Sequence, residues 1–304
     1  MNTAVYLERA GRTFGERTAV AVGDKRHSDF AELAGRVAAI AGGLRDRLGL
    51  VPGDRLALAM KNCPEFIEIL YAAWHAGLCA VPVNAKLHPR EIAYILDHSG
   101  ARCCIVTPDL MEAVAPLAEE VPGLERVISV GTGEHRSLLA GDPAPLVARG
   151  PDEVAWLFYT SGTTGRPKGA MLSHRCLQAM TLSYFADVDA VSGGDCILHA
   201  APMSHGSGLY ILPHMAMAAK QVIPESGGFD PEEIFRLLPA HEGMTLFAAP
   251  TMVTRLVHSP GLGAADLRNL KTIVYGGGPM YVEDLRLAME RIGNKLVQAY
   301  GQGE

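Results

Sequence analysis

A strand-like apolar run, then a helix-like stretch, then another apolar run recurs along this sequence, and that alternation admits few architectures. Over residues 28–48 the side chains Phe30, Leu33, Val37, Ile40, Leu44 and Leu48 repeat at helical spacing, with Asp29 and Glu32 placed as a cap pair. Pro52-Gly53-Asp54 then turns the chain into the apolar run 56–60, and Asn62 is placed to cap a helix that runs through Trp74 and stops at Gly77. Residues 78–83 return as a strand, followed by helix 88–98, strand 102–107, helix 111–120 and strand 127–130. Such an order predicts an α/β fold with mostly parallel sheets covered by helices.

Between residues 131 and 152 the sequence turns Gly-, Pro- and Ala-rich, which reads as a surface connection between two α/β halves, 1–150 and 151–304. The second half repeats the grammar, with strand-like runs at 155–159, 196–201, 221–223, 245–248, 272–275 and 295–298. Each is followed by a turn or loop, where an open α/β sheet places its ligands. No short-period repeat or low-complexity tract interrupts the pattern.

Charge removes several classes of function. Lys and Arg number 27 against 33 Asp and Glu, so no general basic field attracts nucleic acid or an anionic membrane surface. No apolar run reaches the length of a membrane span, and residues 1–21 carry too many charges for a signal peptide. The six cysteines form neither a C-x-x-C pair nor a disulfide framework, which points to a reduced, cytoplasmic protein.

The chemistry concentrates in Tyr159-Thr160-Ser161-Gly162-Thr163-Thr164-Gly165-Arg166-Pro167-Lys168-Gly169, directly after a strand. Small residues let backbone N–H groups approach phosphate oxygens, hydroxyls add donors, and Lys168 adds a mobile positive charge. A Walker A loop fails on spacing: counted from Gly162, Pro167 stands where its second glycine belongs and Gly169 where its magnesium-binding hydroxyl belongs. The competing reading is a flexible Gly/Ser/Thr connection that happens to carry a lysine.

This stretch resembles the signature loop of the adenylate-forming (AMP-binding) superfamily, which includes acyl-CoA synthetases, luciferases and nonribosomal-peptide adenylation domains. Two further segments resemble that family and fall in its order: Tyr275-Gly276-Gly277-Gly278-Pro279-Met280 and Gln298-Ala299-Tyr300-Gly301-Gln302-Gly303-Glu304. The resemblance implies the large N-terminal domain of such an enzyme. Two helix-covered, mostly parallel sheets would be stacked in five layers (αβαβα), with part of a β-barrel. It also implies a ribose-binding Asp, a hinge and a mobile C-terminal domain bearing an adenylation lysine, none of which lies in this sequence. The chain is therefore read as residues 1–304 of an incomplete AMP-binding domain.

By the same resemblance, Thr160, Ser161, Gly162, Thr163, Thr164, Gly165 and Lys168 hold ATP phosphates, and Gly276, Gly277 and Gly278 lie beside the adenine and the acyl pocket. Tyr300, Gly301, Gln302 and Gly303 complete the nucleotide site, and Glu304 offers a hard oxygen to Mg²⁺. Gly303 departs from the family, which usually carries a Thr there. His205, within Pro202-Met203-Ser204-His205-Gly206-Ser207-Gly208, matches the family segment that gates the carboxylate pocket. Leu209, Tyr210, Ile211, Leu212 and Met215 follow it as acyl-pocket lining or as plain core.

The implied reaction is attack of a carboxylate on the α-phosphorus of ATP, with Lys168, His205 and Glu304 as catalytic residues, then transfer of the acyl group to coenzyme A. No cation near residue 209 awaits a second carboxylate, so fatty and aromatic acids are expected. A nonribosomal-type adenylation domain, a luciferase-like oxygenase and a nucleotide-binding fragment without full catalysis are the alternatives. Homo-oligomerisation stays open.

Overall fold

The computed structural model describes residues 1–160 and 166–301. Thirteen strands lie among them: β1 (Thr18–Val22), β2 (Lys25–Asp29), β3 (Arg55–Met60), β4 (Cys79–Asn84), β5 (Ala101–Val106), β6 (Arg126–Ser129) and β7 (Val154–Thr160), then β8 (Lys168–Ser173), β9 (Cys196–Leu198), β10 (Lys220–Ile223), β11 (Met244–Ala248), β12 (Leu270–Tyr275) and β13 (Leu296–Gln298). They form two open sheets, one ordered β13-β12-β11-β9-β10-β1-β2 and the other β6-β5-β3-β4-β7-β8. All pairings are parallel except β1 with β2 and β7 with β8, each at a sheet edge. The part of a β-barrel implied by the resemblance is not among these strands.

The helix Pro64–His75 explains how the sheets stack. Every residue from Phe66 to His75 is buried, and a helix apolar all round has to lie between layers. It touches β1 of one sheet and β3 and β4 of the other. With the helix Phe30–Asp46 it forms the middle layer, around a core that includes Val20, Leu58, Trp74 and Trp156. The helices Pro231–Leu237, Pro250–His258 and Val282–Ile292 cover the far face of the first sheet. The helix Pro89–Ser99 and the short turns after β5 cover the far face of the second. Five layers result, as expected.

Local signals account for most boundaries. Asp29 and Glu32 form the predicted capping box on Phe30–Asp46. Cys63, not Asn62, is the N-cap of the next helix. Asn62 instead donates to the carbonyls of His199 (2.7 Å) and Ala201 (2.8 Å) and accepts from the Met203 N–H (2.9 Å), which joins the loop after β3 to the loop after β9. The expected helix over 111–120 is broken into Met111–Val114 and Leu117–Glu120, because Pro116 has no N–H to continue the ladder. A helix, Gly133–Leu139, capped by Thr132, occupies part of the stretch read as a surface connection. Each sheet draws strands from both sides of residue 150: β1 and β2 sit beside β10, and β7 pairs with β4.

Candidate active site

In a parallel sheet the loops at the carboxyl ends of the strands gather on one side, and that is where ligands bind in open α/β folds. Here the loops or last residues of β7, β9, β11, β12 and β13 meet around one cleft of about 580 Å³. Thr160 ends β7, His205 and Gly206 follow β9, Ala249 follows β11, Gly276 and Gly277 follow β12, and Ala299, Tyr300 and Gly301 follow β13. Backbone bonds keep three of these loops abreast: the Gly276 N–H donates to the Ala248 carbonyl (3.2 Å), and the Ala299 N–H to the Tyr275 carbonyl (2.8 Å).

Glycine is required where these loops touch. A Cβ at Gly276 would stand 2.4 Å from the carbonyl oxygen of Ala299, nearer than any real contact. Gly277 takes φ of +82°, a left-handed conformation that side chains avoid. The backbone at this point therefore presents a bare surface on the cleft, a cradle that fits the face of a planar ring. Gly278, placed with them by the sequence, does not line the cleft.

β7 sends alternate side chains to opposite faces. Trp156 and Phe158 join the central core, whereas Leu157 and Tyr159 face the outer layer, where the Tyr159 hydroxyl meets Nδ1 of His98 at 2.8 Å. Phe158 and Thr160 consequently reach the cleft. Lys168 opens β8 as the direct cross-strand partner of Thr160, so the hydroxyl- and glycine-rich stretch connects two antiparallel strands whose ends are held together. Lys168 is exposed and does not line the cleft itself. Ser161, Gly162, Thr163, Thr164 and Gly165, and likewise Gln302, Gly303 and Glu304, lie outside the described residues.

His205 also lines the cleft. Its ring packs edge-on against Phe158, with centroids 5.6 Å apart, and its Nδ1 meets the Ser204 hydroxyl at 2.9 Å. Burial pushes its pKa below the usual imidazole value, which favours the neutral ring. Of the apolar run behind it, Leu209 and Tyr210 reach the cleft, whereas Ile211, Leu212 and Met215 are core.

Phe158, Leu172, Cys176, Leu177, Met180, Phe247 and Ala249 also line the wall and were not marked in the sequence. Cys176, Leu177 and Met180 share one face of the helix His174–Ser183, and helical spacing was the signal available for them. The Ser173 hydroxyl lies 3.3 Å from the Cys176 sulfur and, as its hydrogen-bond partner, holds the thiol pKa below its ordinary value. Among the described lining residues there is no Lys, Arg, Asp or Glu. Among the described residues no group of three His, Cys, Asp or Glu is arranged to hold a metal ion. A second, polar cavity of about 430 Å³, lined by Arg17, Gly193, Asp195 and Lys220, lies at the amino ends of β1, β9 and β10 and holds none of the candidates.

A cleft at the carboxyl ends of parallel strands, floored by glycine backbone, is where an open α/β enzyme fold holds its ligand. The chain belongs to the AMP-binding enzyme family, whose model matches residues 7–304. It is 35% identical over 277 residues to the feruloyl-CoA synthase of Amycolatopsis sp, covering 90% of this chain and 54% of that protein. It is 32% identical over 317 residues to the long-chain-fatty-acid–CoA ligase of Thermus thermophilus, covering 100% of this chain and 58% of that protein. The crystal structure of ATP-bound MatB from Rhodopseudomonas palustris superposes with a TM-score of 0.85 at 27% identity, over 100% of this chain and 60% of that one. The chain thus spans a little over half the length of the curated relatives it matches. No helix among the described residues is long and apolar enough to cross a membrane.

Proposed function

We propose that this chain carries the nucleotide- and acid-binding part of a ligase that activates a carboxylic acid with ATP and passes the acyl group to coenzyme A. The observation that carries the reading is the convergence of Thr160, His205, Gly276, Gly277, Tyr300 and Gly301 on one cleft from four separate strand ends. Similarity to named CoA ligases over at least 90% of the chain supports it.

In this reading a carboxylate oxygen attacks the α-phosphorus, the bond to the bridging oxygen breaks, and pyrophosphate leaves with that electron pair. The acyl adenylate is then attacked by the thiol of coenzyme A, giving thioester and AMP. The chain's part is positioning and charge neutralisation. Lys168 and the residues 160–165 hold the β- and γ-phosphates. The backbone at Gly276 and Gly277 supports the adenine, with Tyr300 at its edge and Gly301, Gln302 and Gly303 beside the phosphates. Glu304 would hold Mg²⁺, which offsets phosphate charge when bound. A neutral His205 stands on the acid's side and adds no charge to compete with the reacting carboxylate.

The acid is apolar. Phe158, Leu172, Leu177, Met180, Leu209 and Phe247 build the wall, and the lack of a charged side chain among the described lining residues leaves a second carboxylate unpaired, at a cost of several kcal/mol. Fatty or aromatic monocarboxylates fit. Six free cysteines suit a reducing, cytoplasmic setting.

The test is acid-dependent release of pyrophosphate from MgATP, with ferulate, palmitate and malonate as probes and thioester formation followed after adding coenzyme A. Release with ferulate or palmitate and not malonate supports the reading. Binding of MgATP without release by any acid points to a nucleotide-binding fragment. Release without thioester points to an adenylation domain that serves another acceptor.

A further inference from the structure

His199 sits at the end of β9, wholly buried, between two other buried polar groups. Its Nε2 lies 2.9 Å from Oε1 of Gln221, and its Nδ1 lies 2.8 Å from the hydroxyl of Ser207. The Gln221 amide nitrogen donates to the Ala219 carbonyl, so Oε1 faces the imidazole and can only accept. The opposite amide orientation would set two carbonyl oxygens against each other. Nε2 therefore carries the proton, and Nδ1 accepts from Ser207. Burial pushes the His199 pKa down to about 4, and the titratable neighbour that bears on it, His214, is likewise buried and lowered, so the ring is neutral throughout the working range of pH.

This chain of bonds closes a loop. Ser207 returns to His199 across eight residues, and the enclosed segment carries Ser204 and His205. Asn62 grips the same segment from outside, through the carbonyls of His199 and Ala201 and the N–H of Met203. Just past Ser207, a Cβ at Gly208 would lie 1.8 Å from the Met203 carbonyl oxygen, so the loop has no slack at its neck. Nothing in this network reaches the cleft except through His205 and its neighbours.

We propose that His199 is a positioning residue: fixed in one tautomer between Gln221 and Ser207, it closes the 199–207 loop and sets how His205 stands on the acid's side of the cleft. The consequence for catalysis rests on the ligase reading above. The consequence for geometry does not.

The experiment combines ¹⁵N NMR of the histidine rings with kinetics, on wild type, Ser207→Ala and Gln221→Met. In wild type His199 shows the Nε2–H tautomer at pH 7. Both variants shift the His205 ring resonances and raise the KM for ferulate by about tenfold, with kcat and the MgATP dissociation constant changed by less than about twofold. A His199 ring protonated on Nδ1 in wild type, or His205 resonances unmoved in both variants, overturns the proposal. If Gln221→Met fails to fold, Ser207→Ala, which deletes one oxygen, decides alone. Should wild type release no pyrophosphate with any acid, the ligase reading fails, and the NMR readout still decides the positioning.

Discussion

Thr160 and Lys168 face each other as the last paired residues of the β7–β8 ladder. Cross-strand partners stand about 5 Å apart, so the two ends of the hydroxyl- and glycine-rich stretch are pinned at one rung of a sheet. Thr160 lines the cleft, and Lys168 is exposed to solvent. The phosphate-holding role proposed for Lys168 rests on this pairing.

Asn62→Leu should destabilise the protein by about 2 to 4 kcal/mol, because the Met203 N–H and two carbonyls lose their partner in a half-buried joint. Urea unfolding followed by circular dichroism measures it. A midpoint equal to that of wild type would mean that the joint between the loops after β3 and β9 contributes nothing.

Gly276→Ala should weaken MgATP binding, because its Cβ would stand 2.4 Å from the Ala299 carbonyl oxygen and must push the 299–301 segment aside. Gly278→Ala is the control: the nearest atoms to its Cβ, on Pro250, are 3.9 Å away. Calorimetric titration of both should separate them; equal affinities would show that the 276–299 contact does not shape the site.

Stability should fall as pH drops from about 6.5 toward 4. His174, His199 and His214 are wholly buried, and burial lowers each pKa to about 4. The unfolded chain binds those protons near pH 6.5 and the folded chain only near 4, so between these values the unfolded state takes up more protons and gains ground. Each group contributes up to about 1.4 kcal/mol per pH unit in that window. Carboxylates titrate lower, so thermal melts between pH 5 and 7 isolate the histidines. A melting temperature that is flat over this interval would contradict the buried, neutral assignment.

The layered architecture was legible because its helices and central strands bury apolar residues at their own periods, and because Asp29 with Glu32 announces a helix start. The antiparallel edge strands β2 and β8 were not. β2 reads Lys-Arg-His-Ser-Asp with a mostly exposed face, and β8 begins at an exposed lysine, so neither shows an apolar pattern. The site was half legible. Thr160, His205, Gly276, Gly277, Tyr300 and Gly301 were marked by local motifs, and they do meet. Phe247 and Met180 reach the same cleft from distant elements, a proximity that only the folded chain creates. His199 carried no local mark among eleven histidines; its one clue was a polar side chain ending an apolar strand, which demands a buried partner.

The most direct test of the whole account is calorimetric titration of MgATP into wild type and Lys168→Ala. Lys168 is exposed, so its loss should leave the fold intact, within about 0.5 kcal/mol. A charge-assisted contact to phosphate is worth about 1.5 to 3 kcal/mol, so the account predicts binding to wild type and affinity at least about tenfold weaker in the variant. Equal affinities would contradict the phosphate-holding role of the hairpin on which the proposed function stands.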